Sequence, residues 1–191
     1  MSPEQLRKEC LALLLQAKDG HPGSIMSLVD VVAGLDPSSR LVISEGHAGM
    51  VVYPLLRERG LITDEDIKNF RKVGGRLTMF PHKSIPGVLC SCGSLGTGIG
   101  YAVGLAMADP SPIVCIISEG ELYEGSTWEA LMFARHYGLT NLRVIVNKND
   151  AIILGKPADC LDIPWRMLES FPHVEVVETI KGKGVPAWEG K

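Results

Sequence analysis

Strong charge of either sign is the first thing this 191-residue sequence lacks: 19 Lys and Arg stand against 22 Asp and Glu, for a net charge of −3. No basic stripe and no aromatic-rich basic groove runs through it, so the electrostatic footprint of a nucleic-acid binder is missing. Long apolar runs are missing too; the longest fall far short of the roughly 20 residues a membrane helix needs. Met1 to Gln16 is amphipathic, with charges at Glu4, Arg7, Lys8 and Glu9, and so lacks the apolar segment of a signal peptide. A disulfide framework is absent as well. The five cysteines (Cys10, Cys90, Cys92, Cys115, Cys160) are odd in number and without small-scaffold spacing. They read as reduced thiols in a cytoplasmic protein. Cys90 and Cys92, close to His82, lack the four-ligand spacing of a structural zinc site.

What is present describes an ordinary globular chain, 46% apolar and 21% charged. Helical patterns alternate with short apolar strands, which predicts an α/β fold with a parallel sheet flanked by helices. Helices are expected at 3–18 and 24–35, the second after the turn His21-Pro22-Gly23. A short strand, Leu41 to Ser44, feeds Glu45-Gly46-His47, with a helix at 48–59. Thr63 caps the helix that opens Asp64-Glu65-Asp66, since acidic residues suit a helix N-terminus. Residues 73–94 show no sustained period and form a long loop, of the kind that is more often functional than idle. A glycine-rich helix start at 93–100 leads to a helix ending near Ala108. Strands at 113–117 and 142–146 flank a helix at 122–137, and 174–178 is a last strand. Without a linker or a repeat, residues 1–191 read as one domain.

The ends of two of those strands carry the chemistry. Ile113 to Ile117 delivers Ser118-Glu119-Gly120-Glu121, and Leu142 to Val146 ends at Asn147-Lys148-Asn149. Open α/β sheets bind ligands at such carboxyl ends. A carboxylate, an amide oxygen and free carbonyls converging there are the hard ligands that Mg²⁺ prefers. His21, His47 and His82 each follow an element end, where histidine can move protons or hydrogen-bond phosphate and sugar oxygens. The glycines at 93, 96, 98 and 100 do not match a dinucleotide fingerprint. They serve either close packing of a helix start or a bare backbone that a flat ring can approach.

Taken in order, Gly20-His21-Pro22-Gly23, Ser44-Glu45-Gly46-His47, Gly93-Ser94-Leu95-Gly96 and the acidic stretch 118–125 resemble the transketolase family. Trp128-Glu129-Ala130, Asn141-Leu142, Asn149 through Gly155 and Thr179–Val185 extend the likeness over nearly the whole chain. The resemblance is to the N-terminal, thiamine-diphosphate-binding half of the family, encoded as a separate subunit. It implies a transferase that moves a two-carbon ketol unit from a ketose phosphate to an acceptor. It implies Mg²⁺ held by Glu119, Asn149 and the carbonyl of Ala151. His21, His47 and His82 correspond to active-site histidines that contact the diphosphate and the sugar hydroxyls. Gly93 and Leu95 correspond to the loop whose backbone meets the aminopyrimidine; Gly120 and Lys181 are placed near the diphosphate. Glu124 and Glu129 correspond to interface residues. The missing aminopyrimidine-binding domain is then expected on a separate C-terminal subunit, in an α₂β₂ heterotetramer.

Departures from the family pattern define two rivals. Ser118-Glu119-Gly120 stands for Gly-Asp-Gly, lengthening the carboxylate arm by about 1.5 Å. Trp188-Glu189-Gly190 stands for Trp-His-Gly, and the tail is expected to sit away from the diphosphate. The chain reads as shortened between Leu35 and Leu41 and between Gly155 and Phe171. One rival is a relative that uses a 2-oxo acid donor or delivers its two-carbon unit to a carrier protein. The other is a non-catalytic subunit that keeps the fold.

Overall fold

The structure is a computed structural model and describes residues 1–160 and 162–190. It divides into two compact units, Met1–Pro37 with Gly46–Ser91 and Ile180–Lys191, and Ser38–Glu45 with Cys92–Thr179.

The first unit is helical. Ser2 caps α1 (Pro3–Ala17) by accepting from the Gln5 N–H at 3.2 Å, and Pro3 suits the first turn because it has no N–H to satisfy. Leu6, Cys10, Leu13 and Leu14 recur at helical spacing and form the buried stripe of α1. That stripe packs on α2 (Pro22–Ala33), whose Ile25, Met26, Leu28 and Val29 are fully buried. The expected helix at 48–59 is split into a 3₁₀ helix, Gly46–Val52, and α3 (Tyr53–Glu58). Pro54 explains the break, because a proline is tolerated in a first turn and not in a helix interior. Helix α4 (Asp64–Lys68) opens with a capping box in which Thr63 and Asp66 satisfy each other's N–H groups. The expected loop carries no helix or strand from residue 71 to residue 91.

The second unit is a parallel sheet in the order β1-β2-β3-β4: Arg40–Ile43, Ile113–Ser118, Leu142–Lys148 and Val174–Glu178. Central strand β2 reads Ile-Val-Cys-Ile-Ile and is buried along that run, as a strand covered on both faces must be. Helix α5 (Gly98–Ala108) packs on β1 and β2, and α6 (Gly125–His136) packs on α5. A further short helix, α7 (Trp165–Glu169), precedes β4 and was not legible from periodicity at that length. The expected helix at 122–137 begins late, because Glu119–Tyr123 winds as a 3₁₀ turn. The register pairs Ser118 with Asn147, so β2 and β3 finish level with each other. Gly98 is needed where it stands: a Cβ there would meet the Cα of Ser44 at 2.6 Å. No described helix is long and apolar enough to cross a membrane.

Candidate functional site

Three buried glutamates organise the carboxyl edge of the sheet, and only one was expected to matter. Glu119, the first residue beyond β2, is 2% exposed. Its Oε2 accepts from the backbone N–H groups of Asn149 and Asp150, both at 2.6 Å. Asp150 adopts φ +54°, a left-handed conformation that aspartate tolerates, and this aims successive N–H groups at one oxygen. The other oxygen, Oε1, is buried with no hydrogen-bond partner, and so is Oδ1 of Asn149. Orphaned buried oxygens are rare in folded proteins and call for an explanation. Burial is the main reason the Glu119 carboxyl lies above its ordinary value, with the Asn149 and Asp150 N–H groups opposing it.

Glu121 has the opposite arrangement. It is fully buried, and each oxygen is satisfied by a backbone donor: Gly96 N–H at 3.0 Å on Oε1, Ser118 N–H at 2.9 Å on Oε2. The Ser44 hydroxyl adds a close bond to Oε1 and that of Ser118 a longer one to Oε2. One carboxylate thus ties together the ends of β1 and β2 and the glycine loop. Burial raises its pKa against these bonds. Glu45, 1% exposed, accepts from Asn147 Nδ2 at 3.2 Å, and Asn147 Oδ1 accepts from the Thr179 hydroxyl at 2.6 Å. Sequence reasoning passed over Glu121 as an anchor, although Ser-x-x-Glu at 118–121 carries the capping-box signature.

The glycine loop answers the question its sequence left open, position by position. Gly96 has φ +75°, and a Cβ there would lie 2.5 Å from Ser126 Oγ and 2.8 Å from Glu124 Cβ. Gly96 and Gly98 therefore serve packing. Gly93 and Gly100 would meet nothing within 4 Å, and a Cβ on Gly120 would make only ordinary contacts of 3.7–3.8 Å. Leu95 is half-buried beside Gly120. The protein's own packing demands neither Gly93 nor Gly120.

In the helical unit the expected histidine trio is a pair. His21 and His47 meet edge to face, with ring centroids 5.1 Å apart. The third ring on His21 is Phe80, at 6.5 Å, and not His82. His82 is exposed and turned into its own loop: its Nδ1 lies 2.9 Å from Ser84 Oγ and accepts from the Ser84 N–H at 3.2 Å. Between them Pro81 is buried against Gly49, so closely that a Cβ there would lie 2.5 Å from Pro81 Cδ. Lys181 reaches the same cluster, its Nζ donating to Ser24 Oγ at 3.1 Å. Glu124 and Glu129 are exposed. Glu189 accepts from the Gly184 N–H at 2.9 Å, within the C-terminal turn.

Burial, with the charges of His21 and Lys181 adding to it, pulls the His47 imidazole down from 6.5 to about 4. Between those values the unfolded chain binds a proton that the folded chain does not, so the contribution of His47 to stability falls as pH falls through that window and is constant above it. At ~1.4 kcal/mol per pH unit the full loss is about 3 kcal/mol. His47→Gln is expected to remove this slope. Urea midpoints at pH 7 and pH 4.5 check it, and an unchanged slope in the variant contradicts a buried neutral ring.

Among the described residues no three His, Cys, Asp or Glu side chains group as a metal site. The donor set at the sheet edge is instead one carboxylate and one amide oxygen, both bare, and it fits a hard cation. Comparison with known proteins gives that edge a family. Residues 4–166 match the family description "Transketolase, thiamine diphosphate binding domain". Transketolase-like protein 2 of Mus musculus is 34% identical over 98% of this chain and 39% of its own length. That match runs over 243 residues against 191 here, so the relative carries segments this chain lacks. A subunit of the apulose-4-phosphate transketolase of Phocaeicola vulgatus is 28% identical over 100% of this chain and 85% of its own. The transketolase structure from Campylobacter jejuni superposes with a TM-score of 0.88, at 27% identity, over 99% of this chain and 38% of that one. The chain spans about two fifths of the length of the full transketolases it matches. With the parallel sheet and the domain match over residues 4–166, the chain belongs to the transketolase family and carries its thiamine-diphosphate-binding domain.

Proposed function

We propose that this chain is the cofactor-binding subunit of a thiamine-diphosphate- and Mg²⁺-dependent enzyme that transfers a two-carbon ketol unit from a ketose phosphate to an acceptor. The observation that carries the reading is the pair of bare buried oxygens, Glu119 Oε1 and Asn149 Oδ1, at neighbouring strand ends. Glu119, Asn149 and the carbonyl of Ala151 would hold the metal. Gly120 and Gly93 offer backbone that the fold has no packing reason to keep bare, which suits close approach by a diphosphate and a flat ring. When bound, thiamine diphosphate supplies the chemistry for breaking and making a carbon–carbon bond next to a carbonyl. The protein's share is to fix and neutralise charge and to hold protons. In the helical unit, His21 and His47 are the groups proposed to meet phosphate and sugar oxygens, with Lys181 as the nearby cation.

A separate aminopyrimidine-binding subunit, in an α₂β₂ assembly, completes the proposal. Its support is the likeness to a Phocaeicola vulgatus protein that is itself one subunit of a transketolase, together with exposed Tyr101 and Met107 on α5 and Met132, Phe133 and Tyr137 on α6. A cytoplasmic location is proposed on cysteine usage alone. A second reading, a 2-oxo acid donor, draws on Phe80, an apolar ring beside His21. The deciding experiment assays donor cleavage with thiamine diphosphate and Mg²⁺, with and without the co-purified second subunit. Ketose phosphate should be cleaved by the assembly and not by the chain alone. Turnover by the chain alone removes the partner, and cleavage of 2-oxo acids only removes ketol transfer.

A further inference from the structure

The hydroxyl of Ser24 lies between a cation and an imidazole. Ser24 sits in the first turn of α2 and is 6% exposed. Lys181 Nζ is 3.1 Å from its Oγ, and His47 Nε2 is 3.2 Å from the same atom. An ammonium group can only donate, so this oxygen accepts from Lys181 and its own proton needs an acceptor elsewhere. The structure gives the Ser24 hydroxyl one other partner among the described residues, His47 Nε2. We infer that Ser24 is a positioning residue that sets the tautomer of His47: the hydroxyl donates to Nε2, and the ring proton sits on Nδ1.

The surroundings build this relay. The Gly182 N–H donates to the Gly23 carbonyl at 3.0 Å, which pins the C-terminal segment beside α2. The stem of Lys181 lies over Gly23 so closely that a Cβ there would meet three of its carbons at 3.0–3.3 Å. Lys181 is therefore placed by backbone and packing before it reaches Ser24. The ring is kept neutral by burial and by the charges of His21 and Lys181, as a fixed tautomer requires. In this tautomer Nε2 is the accepting nitrogen and is engaged by Ser24. The role of this ring toward a donor rests on the ketol-transfer reading, and the tautomer does not.

The test is a long-range ¹⁵N–¹H correlation spectrum of the ¹⁵N-histidine-labelled chain at pH 7. His47→Gln identifies the His47 signals by their loss. Nδ1 should carry the proton and Nε2 should be bare. Ser24→Ala should move the tautomer ratio about fivefold or more toward Nε2–H, the order expected from one net hydrogen bond. Ser24→Thr, which keeps the hydroxyl, should retain Nδ1–H. Protonated Nε2 in the unmodified chain overturns the inference, and so does an unchanged ratio in a folded Ser24→Ala chain. The unmodified chain's spectrum decides even if Ser24→Ala does not fold. A fixed Nδ1–H tautomer alongside absent ketol transfer supports the role of Ser24 and removes the function reading alone.

Discussion

Glu119→Gln is expected to weaken Mg²⁺-dependent thiamine diphosphate binding by at least about 10- to 100-fold, the scale on which metal sites respond to lost ligand support, while leaving the unliganded chain as stable as before or slightly more so. The split follows from the two oxygens. Oε2 holds both backbone N–H groups, and a glutamine oxygen can take its place with the same two bonds. Oε1 holds nothing within the protein, so putting an amide nitrogen there breaks no bond. What disappears is a negative charge that the unliganded fold tolerates at a cost. A carboxyl raised above its ordinary value of 4.5 stabilises the fold only below that value, and the contribution is lost as pH rises through the folded pKa. The stability of Glu119→Gln should accordingly depend less on pH above 4.5. Glu119→Asp keeps the charge on an arm shorter by about 1.5 Å. It should retain part of the binding and lose part of the backbone anchoring. Calorimetric titration with thermal unfolding on the same samples reads both quantities.

Glu121→Gln should do the reverse, although it is the same substitution two residues along. Both oxygens of Glu121 accept a backbone N–H, one from Gly96 and one from Ser118. A glutamine has one oxygen, so its NH₂ must face one of those donors. A buried donor left without an acceptor costs about 1–3 kcal/mol, and breaking a buried charged network about 3–5 kcal/mol. We expect a loss of about 3 kcal/mol, which for a chain of this size lowers Tm by roughly 6–12 °C. The glycine loop should loosen with it, since Gly96 loses its tie to β2. Hydrogen exchange at Gly96 and Ser118 checks the local effect. Equal Tm values for Glu121→Gln and the unmodified chain would contradict the anchoring role.

The contrast also shows where the sequence was readable. Strands β2 and β3 stood out because an unbroken Ile/Val run has few alternatives to a buried parallel strand. Their level ends followed, and so did the meeting of Glu119 with the Asn149 turn. The anchoring role of Glu121 was hidden because its donors come from Gly96 and Ser44, 25 and 77 residues away. The placement of His82 was hidden for a related reason: Pro81 packs on Gly49 and Phe80 is the ring beside His21, long-range contacts that a histidine next to a proline in a long loop does not announce. Ser24 gave no local signal, since its role needs Lys181 from 157 residues on. In the regular elements, Pro54 explains the split helix and the 3₁₀ turn at Glu119–Tyr123 the late start of α6, both local features that periodicity alone does not weigh.

The central claim is that the bare oxygens of Glu119 and Asn149 exist to hold a divalent cation for a diphosphate cofactor. Electron paramagnetic resonance with Mn²⁺ as the probe tests it most directly, by following the free-ion signal as the chain is added with thiamine diphosphate present. The account predicts one Mn²⁺ taken up per chain, and none by a Glu119→Gln chain of unchanged melting temperature. Equal uptake by the two chains would contradict it.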